Sequence, residues 1–471
     1  MSGLLDSPAS ILDDILAQVG EPSAGDAVRF HGQDPVLPTI FRMGDFGAAA
    51  IAATALTAAR IHERATGIVQ TIDIDAVAAT VAMRSSRQLV VDPPLRAPDL
   101  HTVGTYRTRD ERWVFMQRLF PHHLQRQLEV LQCEPTEESI AGAVAQHDGQ
   151  WLEDQIVAHG ASATLVRTRE EWTAHPQFAA VSSLPLLEVT KIGDSDPVPL
   201  PFGDRPLSGL RVLDVTRVLA GPTAARTLAE HGADVLRISS PRGPDNLRMM
   251  IDTGHGKRSA VLDLRAPDDL TTMFDLIDGV DVYSHGYRPG AMEAFGLGPE
   301  RLAERRPGII NVSITAFGRL GPWSTRRGFD SVVQSATGMA LAGSDTDRPV
   351  HMPGNPLDYI TGYLGALGAL VALERRAADG GSYLVEVSLA RTGYELDRRI
   401  APVDRQLAGQ RSADLPADLL ESLSLHRSSE FGELRYLAPV AQLSHTRAEW
   451  ELPTVPADHD EPRWRSADAD L

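Results

Sequence analysis

Short apolar strands and amphipathic helices alternate between residues 209 and 317, and this alternation constrains the fold more than any other feature. Five segments have the pattern of buried strands, "GLRVLDVT", "ADVLRI", "RSAVLDL", "VDVYSHGY" and "GIINVSITAFG", and helical segments such as "GPTAARTLAEHG" lie between them. Strands joined through a helix pair in parallel, with right-handed crossovers. The pattern therefore predicts an α/β fold built on a doubly wound, Rossmann-like domain.

Basic side chains cluster near the predicted strand ends, and doubly wound domains bind ligands outside the carboxyl ends of their strands. A solvated arginine-rich surface would look the same, but in a chain of net charge −18 the cluster favours a phosphate-bearing ligand. A dinucleotide is disfavoured, because Gly221 is the only glycine opening the first helix, where a glycine-rich loop would approach the pyrophosphate. The cluster comprises Arg237, Arg242, Arg248, Lys257, Arg258, Arg265 and Arg288.

An internal repeat places an aspartate in front of a helix of small residues twice in the chain. "GDFGAAAIAATALTAARIHERATGIVQTIDIDA" begins at Gly44, and "LDYITGYLGALGALVALERRAADGGSYLVEVSL" begins at Leu357, at an offset of 313 without gaps. In each copy a glycine follows the aspartate, Asp45 or Asp358, by 22 positions and precedes an alternating strand. From residue type and position alone, Asp358 is expected to cap its helix.

The composition excludes several kinds of partner and site. The net charge of −18 argues against nucleic acids and anionic membranes as partners. Cys133 is the only cysteine, so an intramolecular disulfide and a cysteine-based zinc site are excluded. The histidines show no metal-ligand spacing, and no nucleophile-elbow motif occurs. No signal peptide or membrane span is predicted, so the cytoplasm is the expected location.

Six blocks follow one another between Leu207 and Leu389. They are "LSGLRVLDVTRVLAGPTAARTLAEHGADVLRI", "GKRSAVLDLR", "VDVYSHGYRPGAMEAFGLG", "SITAFGRLGPW", "RRGFDSVVQSATG" and "LDYITGYLGALGALVALERR". In this order they resemble the family III CoA-transferases (the carnitine/bile-acid CoA-transferase family). The resemblance implies that the chain moves CoA between an acyl-CoA and a carboxylic acid without a metal. It also implies that Asp358 is the nucleophile, which forms first an anhydride and then an aspartyl-CoA thioester.

The resemblance further implies which residues surround this nucleophile. Asp330, in "GFDSVVQ", matches an acidic family position near it and is expected to support it. Lys257 and Arg258 of the basic cluster are added to the expected CoA-binding set. The other positions implied to line the site or bind CoA are Val218, Leu219, Arg237, Leu262, Asp263, Leu264, Arg265, Gly286, Tyr287 and Arg288.

Several positions depart from the family pattern and leave other functions open. Leu219 stands where the family has a glutamine near the thioester, and Ser240 stands where it has an arginine near CoA. The glycine-rich loop of formyl-CoA transferases has no counterpart. Phe329 stands where the racemases of the family have an acid/base histidine, which argues against racemase chemistry. The alternatives to CoA transfer are an acyl-CoA racemase or isomerase, and a catalytically degenerate CoA-binding protein.

The order of the parts is unusual for the family, whose nucleotide-binding half comes first. Here the small-domain blocks "GTYRTRDERWVF" and "REEWTAHPQF" precede it. Residues 101–116 are predicted to form a hairpin, and residues 181–208, rich in proline, glycine and aspartate, a linker. Asp45 is therefore a second candidate nucleophile, and a homodimer with interlocked chains is expected from the resemblance. The predicted parts are an extension (1–35), a small α+β domain resembling the family's C-terminal half (36–200), a Rossmann-like CoA-binding domain with the catalytic aspartate (201–400), and a C-terminal segment with a flexible tail (401–471).

Overall fold

The computed structural model describes residues 7–32, 36–95, 103–242, 246–400 and 402–465, with backbone alone for 402–404. The helices before residue 200 are α1 Pro8–Val19, α2 Met43–Thr66, α3 Ala76–Ala82, α4 Ser85–Gln88, α5 Pro121–Leu131, α6 Glu137–Val144, α7 Gly149–Ala158, α8 Arg169–Thr173 and α9 Pro176–Ser182. The strands there are β1 Val28–His31, β2 Ile72–Asp75, β3 Val90–Asp92, β4 Val103–Arg107, β5 Trp113–Gln117, β6 Ser162–Leu165 and β7 Leu187–Gly193.

The elements after residue 200 continue the same numbering. The strands are β8 Arg211–Val215, β9 Asp234–Ser239, β10 Lys257–Val261, β11 Val282–His285, β12 Ile310–Thr315, β13 Ser382–Ser388, β14 Ser424–Ser429, β15 Gly432–Leu437 and β16 Gln442–Leu443. The helices are α10 Ala220–Glu230, α11 Leu247–Thr253, α12 Pro267–Asp278, α13 Pro299–Arg305, α14 Asp330–Ala336, α15 Met339–Ala342, α16 Pro356–Asp379, α17 Leu389–Asp397, α18 Pro402–Ala408 and α19 Ala417–Ser422.

A seven-stranded sheet with the order β10-β9-β8-β11-β12-β13-β7 forms the centre of the molecule. Its first six strands are parallel, which confirms the α/β prediction and each of the five strands expected from the sequence. The seventh strand, β7, pairs antiparallel with β13. Since β7 comes from residues that had the composition of a linker, the sheet crosses the predicted domain boundary at residue 200.

The internal repeat corresponds to two copies of one helix–strand–helix unit. Helices α2 and α16 begin and end at equivalent positions of the repeat, and α3 and α17 begin at equivalent positions as well. The sheet order β1-β2-β16 also repeats the arrangement of β12, β13 and β7, with a parallel and an antiparallel neighbour. The two long helices pack against each other, and the Thr54 hydroxyl donates to the Tyr363 carbonyl at 3.1 Å.

The hydrophobic cores divide the chain differently from the predicted parts. The main core extends from Ile11 in α1 to Trp450 near the C-terminus, so the first residues are not a separate polar extension. A separate core lies among β4, β5, β6 and α5–α7. We therefore restrict the term small domain to residues 103–166. Its hairpin β4–β5 confirms the hairpin expected around residues 101–116, of which 101 and 102 lie outside the described residues.

The C-terminal segment is packed against the central sheet as far as the structure describes it. The backbone of Ser259 in β10 exchanges hydrogen bonds with Asp460, and the Trp464 indole donates to the Leu276 carbonyl at 2.9 Å. The expectation of a flexible tail is therefore wrong for residues up to 465, because they have partners on the sheet. Residues 466–471 lie outside the described part of the chain.

Helix α16 is the one helix among the described residues that is long and apolar enough to cross a membrane by length and composition. Its apolar window is entirely buried inside the protein. Such a helix is equally typical of a protein core, which is the position that α16 occupies between α2, α10 and the central sheet.

Candidate active site

The strand order of the central sheet reverses between β8 and β11, and a cavity of about 280 Å³ lies at their carboxyl ends. Residues Arg217 and Val218 after β8 and residues Gly286 to Arg288 after β11 line this cavity. Doubly wound folds bind ligands in the crevice at such a reversal, because neighbouring loops diverge there. Four of the positions expected from the resemblance thus lie together at one cavity: Val218, Gly286, Tyr287 and Arg288.

Asp358 also lines the cavity, in the first turn of α16. The residue is 5% exposed, and Pro356 begins the helix two positions earlier. The N-terminus of a helix carries partial positive charge, which favours a carboxylate or a developing oxyanion. The structure therefore presents the candidate nucleophile to the ligand crevice from the end of a long, rigid core helix.

Asp330 caps α16, and this corrects the expectation that Asp358 is the cap. The Asp330 carboxylate accepts hydrogen bonds from the backbone N–H groups of Leu357 and Asp358, at 2.8 and 3.2 Å. Asp358 lies inside the first turn of the helix, whereas the N-cap position before the helix is Asn355. The Gln334 side chain donates to the other carboxylate oxygen of Asp330. Asp330 is thereby fixed directly behind Asp358.

The two carboxyl groups are buried and perturb each other's protonation. Burial, and then the charge of Asp330, raise the pKa of Asp358 well above its ordinary value. Burial likewise raises the pKa of Asp330, although hydrogen bonds from Gln334 and from the α16 backbone oppose this. Two carboxylates in one buried site resist simultaneous ionisation, so Asp358 retains a proton at a pH where an exposed aspartate has lost it.

The loop between β8 and α10 carries local backbone strain. Val218 has a φ of 72°, a left-handed conformation that is a genuine outlier for a β-branched residue. Strain of this kind concentrates at functional sites, where the surrounding structure enforces it. The neighbouring Leu219 side chain is fully buried and is not among the residues lining the cavity.

Small residues allow α16 to approach α10 closely behind the site. A Cβ atom on Gly362 would lie 2.5 Å from the Ala220 carbonyl oxygen and 2.7 Å from the Thr223 Cβ atom. Since such contacts are too short for real atoms, the position requires glycine. This close approach sets Asp358 beside the first residues of α10, Ala220 and Gly221, which line the same cavity.

Three basic residues expected to bind CoA are instead held by protein groups. Lys257 is 2% exposed and donates to Asp214 and to the Pro222 carbonyl at 2.7 and 2.8 Å, and burial lowers its pKa to about 8. Arg258 pairs with Asp234 in the neighbouring strand. Both begin β10 at its amino end, opposite the ligand edge, because parallel strands share one direction. Arg237, in the middle of β9, is buried and donates to the Ser259 hydroxyl.

The remaining expected CoA-binding residues, 262–265, follow β10 at its carboxyl end. They lie on the same edge of the sheet as the cavity but are not among the residues that line it. Leu262 is buried in the core, while Asp263 pairs with Arg242. This segment can contact only a ligand that extends along the sheet edge beyond the cavity.

Asp45, the second candidate nucleophile, lies elsewhere. It is 2% exposed in the first turn of α2 and forms an ion pair with Arg42. Asp45 is not among the residues lining the cavity at the strand reversal. Its copy of the repeat has the two strands β1 and β16 beside β2, without the β8–β11 reversal that forms the crevice beside Asp358.

The small domain contributes residues that sequence reasoning missed. Phe120, His122 and His123 line the cavity together with Asp358, although more than two hundred positions separate them in sequence. Arg326 and Arg327 line it as well, from the loop ahead of Asp330. The run "FPHH" directly after a predicted hairpin strand was the available signal. No cluster of histidine, cysteine or acidic side chains suited to a metal occurs in the described ranges.

A sequence model described as CoA-transferase family III matches residues 24–197 and 207–411, which is most of the chain. The chain belongs to CoA-transferase family III. Asp358, Asp330 and most of the residues that line the cavity lie in the second matched segment. Phe120 and His123, which also line the cavity, lie in the first. The site of this family III member is therefore built from both matched segments of one chain.

Similar proteins match only part of this family III member. An acetyl-coenzyme A transferase (nodX) of Hypoxylon pulicicidum is 38% identical over 42% of this chain and 35% of its own length. The succinyl-CoA–L-malate CoA-transferase alpha subunit of Chloroflexus aurantiacus is 34% identical over 44% of this chain and 53% of its own. The crystal structure of a CaiB/BaiF family protein from Brucella suis is 28% identical over 45% of this chain and 59% of its own chain, with a TM-score of 0.39. The chain spans between about a third and just over half of the length of the curated relatives it matches.

Proposed function

We propose that this family III member transfers CoA between an acyl-CoA thioester and a carboxylic acid, with Asp358 as the nucleophile. The observation that carries the proposal is the position of Asp358, in the first turn of α16 and at the wall of the crevice formed by the β8 and β11 loops. The named relatives, an acetyl-coenzyme A transferase and a succinyl-CoA–L-malate CoA-transferase subunit, support the same reaction class.

The proposed reaction is covalent catalysis by a carboxylate. The Asp358 carboxylate attacks the thioester carbonyl carbon, the C–S bond breaks, and CoA leaves as a thiolate from a mixed anhydride. The thiolate then attacks the aspartyl carbonyl, releases the donor acid and forms an aspartyl-CoA thioester. The acceptor carboxylate attacks that thioester and displaces the thiolate, which finally attacks the acceptor carbonyl and frees Asp358.

The N-terminus of α10 is suited to stabilise the oxyanions of these steps. The first N–H groups of a helix lack intrahelical partners, and Ala220 and Gly221 line the cavity beside Asp358. Pro222 contributes no N–H group, so the available donors belong to the residues before it. Backbone donors fixed in a buried site stabilise developing negative charge without reorganisation. We assign this role to the strained turn at Val218 and the residues that follow it.

For CoA itself we propose contacts with Val218, Gly286, Tyr287 and Arg288, which line the cavity. Residues 262–265 would meet the nucleotide end of the same ligand, if it extends along the carboxyl edge of the sheet. We assign Lys257, Arg258 and Arg237 to the framework of the sheet, since each is paired with a protein group.

Chemical trapping tests the proposal. Hydroxylamine added during turnover converts an aspartyl thioester or anhydride into a hydroxamate, and peptide mass spectrometry locates it. The proposal expects the modification on Asp358 and none in the Asp358→Asn variant. Asp45→Asn is the matched control from the repeat and is expected to retain the adduct on Asp358. An Asp358→Asn variant that kept the full rate would refute the assignment.

A racemase or isomerase of acyl-CoA is the second candidate, and the cavity histidines are the observation in its favour. Burial, His122 and two arginines lower the pKa of His123 to about 3, and burial and arginines also lower that of His122. A base this weak removes a proton from an α-carbon poorly. Deuterium uptake at the α-carbon without any acceptor acid would support the racemase, and CoA binding without turnover of any acid would support a degenerate protein.

We further propose that the chain works in the cytoplasm and forms a homodimer, as the family resemblance implies. The site draws residues from both matched segments of the same chain, so each protomer would hold its own cavity. Light scattering on the purified protein measures the oligomeric state directly. A mass of one chain at working concentrations would contradict the dimer.

A further inference from the structure

Three aromatic rings form one wall of the cavity that contains Asp358, and we call Phe120, His123 and Phe329 the ring wall. All three line the cavity. The centroid distances are 6.1 Å between Phe120 and Phe329, and 5.8 Å between His123 and each of the other two. The wall joins the small domain to the loop directly before Asp330. A group bound there therefore lies within the same cavity as the reacting carboxylate.

The ring wall carries no charge at neutral pH. Burial is the main cause that lowers the pKa of His123 to about 3, and the neighbouring His122, Arg327 and Arg126 lower it further. The imidazole is 2% exposed, and its Nδ1 atom has no hydrogen-bond partner within the described part of the chain. A neutral ring with an unused polar atom can pack against an apolar ligand and hydrogen-bond to a substrate carbonyl.

Four arginines, Arg217, Arg288, Arg326 and Arg327, also line the cavity. Arg326 pairs with Glu153, which also pairs with Arg167, and it donates to the Ala163 carbonyl at 2.7 Å. The Arg217 guanidinium lies over the Phe120 ring, 4.6 Å from its centroid. Arg327 lies next to Gly160, beside Arg126. The space in front of the rings is also lined by the apolar residues Val218, Ile314, Ala316 and Leu389.

We infer that the ring wall binds an apolar, ring-bearing substituent of the transferred acyl group, so that arylalkanoic acids are favoured over short dicarboxylic acids. The inference rests on the proposed function, because it assigns the substrate class of the same site. Aromatic rings pack edge-to-face on one another at the spacing seen here. A short dicarboxylic acid brings no ring to this wall and gains none of that contact.

Self-exchange tests the inference without knowledge of the natural donor. The probes are phenylacetyl-CoA with isotopically labelled phenylacetate, and succinyl-CoA with labelled succinate. The inference expects kcat/KM for the phenylacetyl pair to exceed that for the succinyl pair. In Phe329→Ala the kcat/KM for the phenylacetyl pair divided by that for the succinyl pair is expected to fall about tenfold to a hundredfold. This is the range for loss of apolar pocket contacts. Phe329→Leu keeps volume and is expected to lower the ratio less, and it serves if the alanine variant does not fold.

A binding measurement separates this inference from the proposed function. Calorimetry on Asp358→Asn compares phenylacetyl-CoA with succinyl-CoA and requires no turnover. Tighter binding of phenylacetyl-CoA, reduced on adding Phe329→Leu and reduced further on adding Phe329→Ala, supports the ring wall even if no acid is exchanged. The matched control is His159→Gln, at an exposed histidine of the same small domain. It is expected to leave unchanged both the ratio of the two kcat/KM values and the ratio of the two dissociation constants. A succinyl preference, or a Phe329→Leu loss equal for both ligands, overturns the inference.

Discussion

The Asp330 carboxylate holds the backbone N–H groups of Leu357 and Asp358 at 2.8 and 3.2 Å, so one buried acid caps the helix that presents another. This relationship fixes the position of Asp358 and also controls its protonation. A carboxylate nucleophile must be ionised to attack, whereas burial and Asp330 both hold its proton on. The pair therefore links helix capping to the pH dependence of catalysis.

The first prediction concerns Asp330→Asn. The amide oxygen can still accept the two backbone hydrogen bonds, but the negative charge beside Asp358 is gone. Because that charge raises the pKa of Asp358, its removal is expected to move the acid limb of kcat/KM to lower pH. The measurement is a pH profile of CoA exchange. Asp148→Asn, a surface change, is the control, and an unmoved or raised acid limb in Asp330→Asn would count against the account.

The second prediction is that the nucleophile destabilises the fold at neutral and alkaline pH. The pKa of Asp358 is raised on folding, so the folded state binds its proton more tightly than the unfolded chain. Its contribution is therefore most favourable at acidic pH and weakens as pH rises towards the raised pKa. Asp358→Asn is expected to raise the free energy of unfolding by about 1–3 kcal/mol at alkaline pH and by less at acidic pH. Urea unfolding at both pH values measures this, and a less stable variant at alkaline pH would contradict it.

The third prediction distinguishes a framework role for Lys257 from CoA binding. Lys257→Met leaves Asp214 buried without its ammonium partner, so a loss of about 3–5 kcal/mol in the free energy of unfolding is expected. Adding Asp214→Asn is expected to restore part of that loss, since the uncompensated charge disappears. The CoA dissociation constant of the folded double variant should match the wild type. A selective loss of CoA affinity would return Lys257 to the ligand site.

The fourth prediction concerns the contact between α16 and α10. Gly362→Ala is expected to lower the free energy of unfolding by about 1–3 kcal/mol, because the new Cβ atom would lie 2.5 Å from the Ala220 carbonyl oxygen. The matched control is Gly142→Ala at an exposed position of helix α6, where the new Cβ atom meets nothing within 4 Å. That change should stabilise by up to about 1 kcal/mol. Equal effects of the two changes would show that the close approach does not matter.

The sequence predicted the central sheet because its strands are buried on both faces and are short, apolar and bounded by turn residues. The repeat was equally visible, since equivalent residues recur at a fixed offset. The small domain's part in the site was not predicted, because the approach of Phe120 and His123 to Asp358 depends on tertiary packing. The pairing of Lys257 and Arg258 with protein carboxylates at the amino end of β10 was not predicted, because basic residue type does not reveal which end of a strand a residue occupies.

The placement of β7 and of the C-terminal segment was missed for a related reason. Residues 181–208 are rich in proline, glycine and aspartate, which is typical of a linker. Within them, however, Leu187 to Gly193 find a free edge of the sheet at β13. Local composition does not reveal an available sheet edge. The same holds for Asp460, whose partner Ser259 lies about two hundred positions earlier.

The most direct test of the central claim is transfer of a heavy oxygen isotope from the acceptor acid to Asp358. When the thiolate releases the acceptor from its anhydride with Asp358, one acceptor carboxylate oxygen stays on the aspartate. After a single turnover with acceptor labelled in both carboxylate oxygens, peptide mass spectrometry should find one heavy oxygen in the peptide that contains Asp358. Label on the peptide that contains Asp45, or on no peptide while CoA transfer proceeds, would contradict the account.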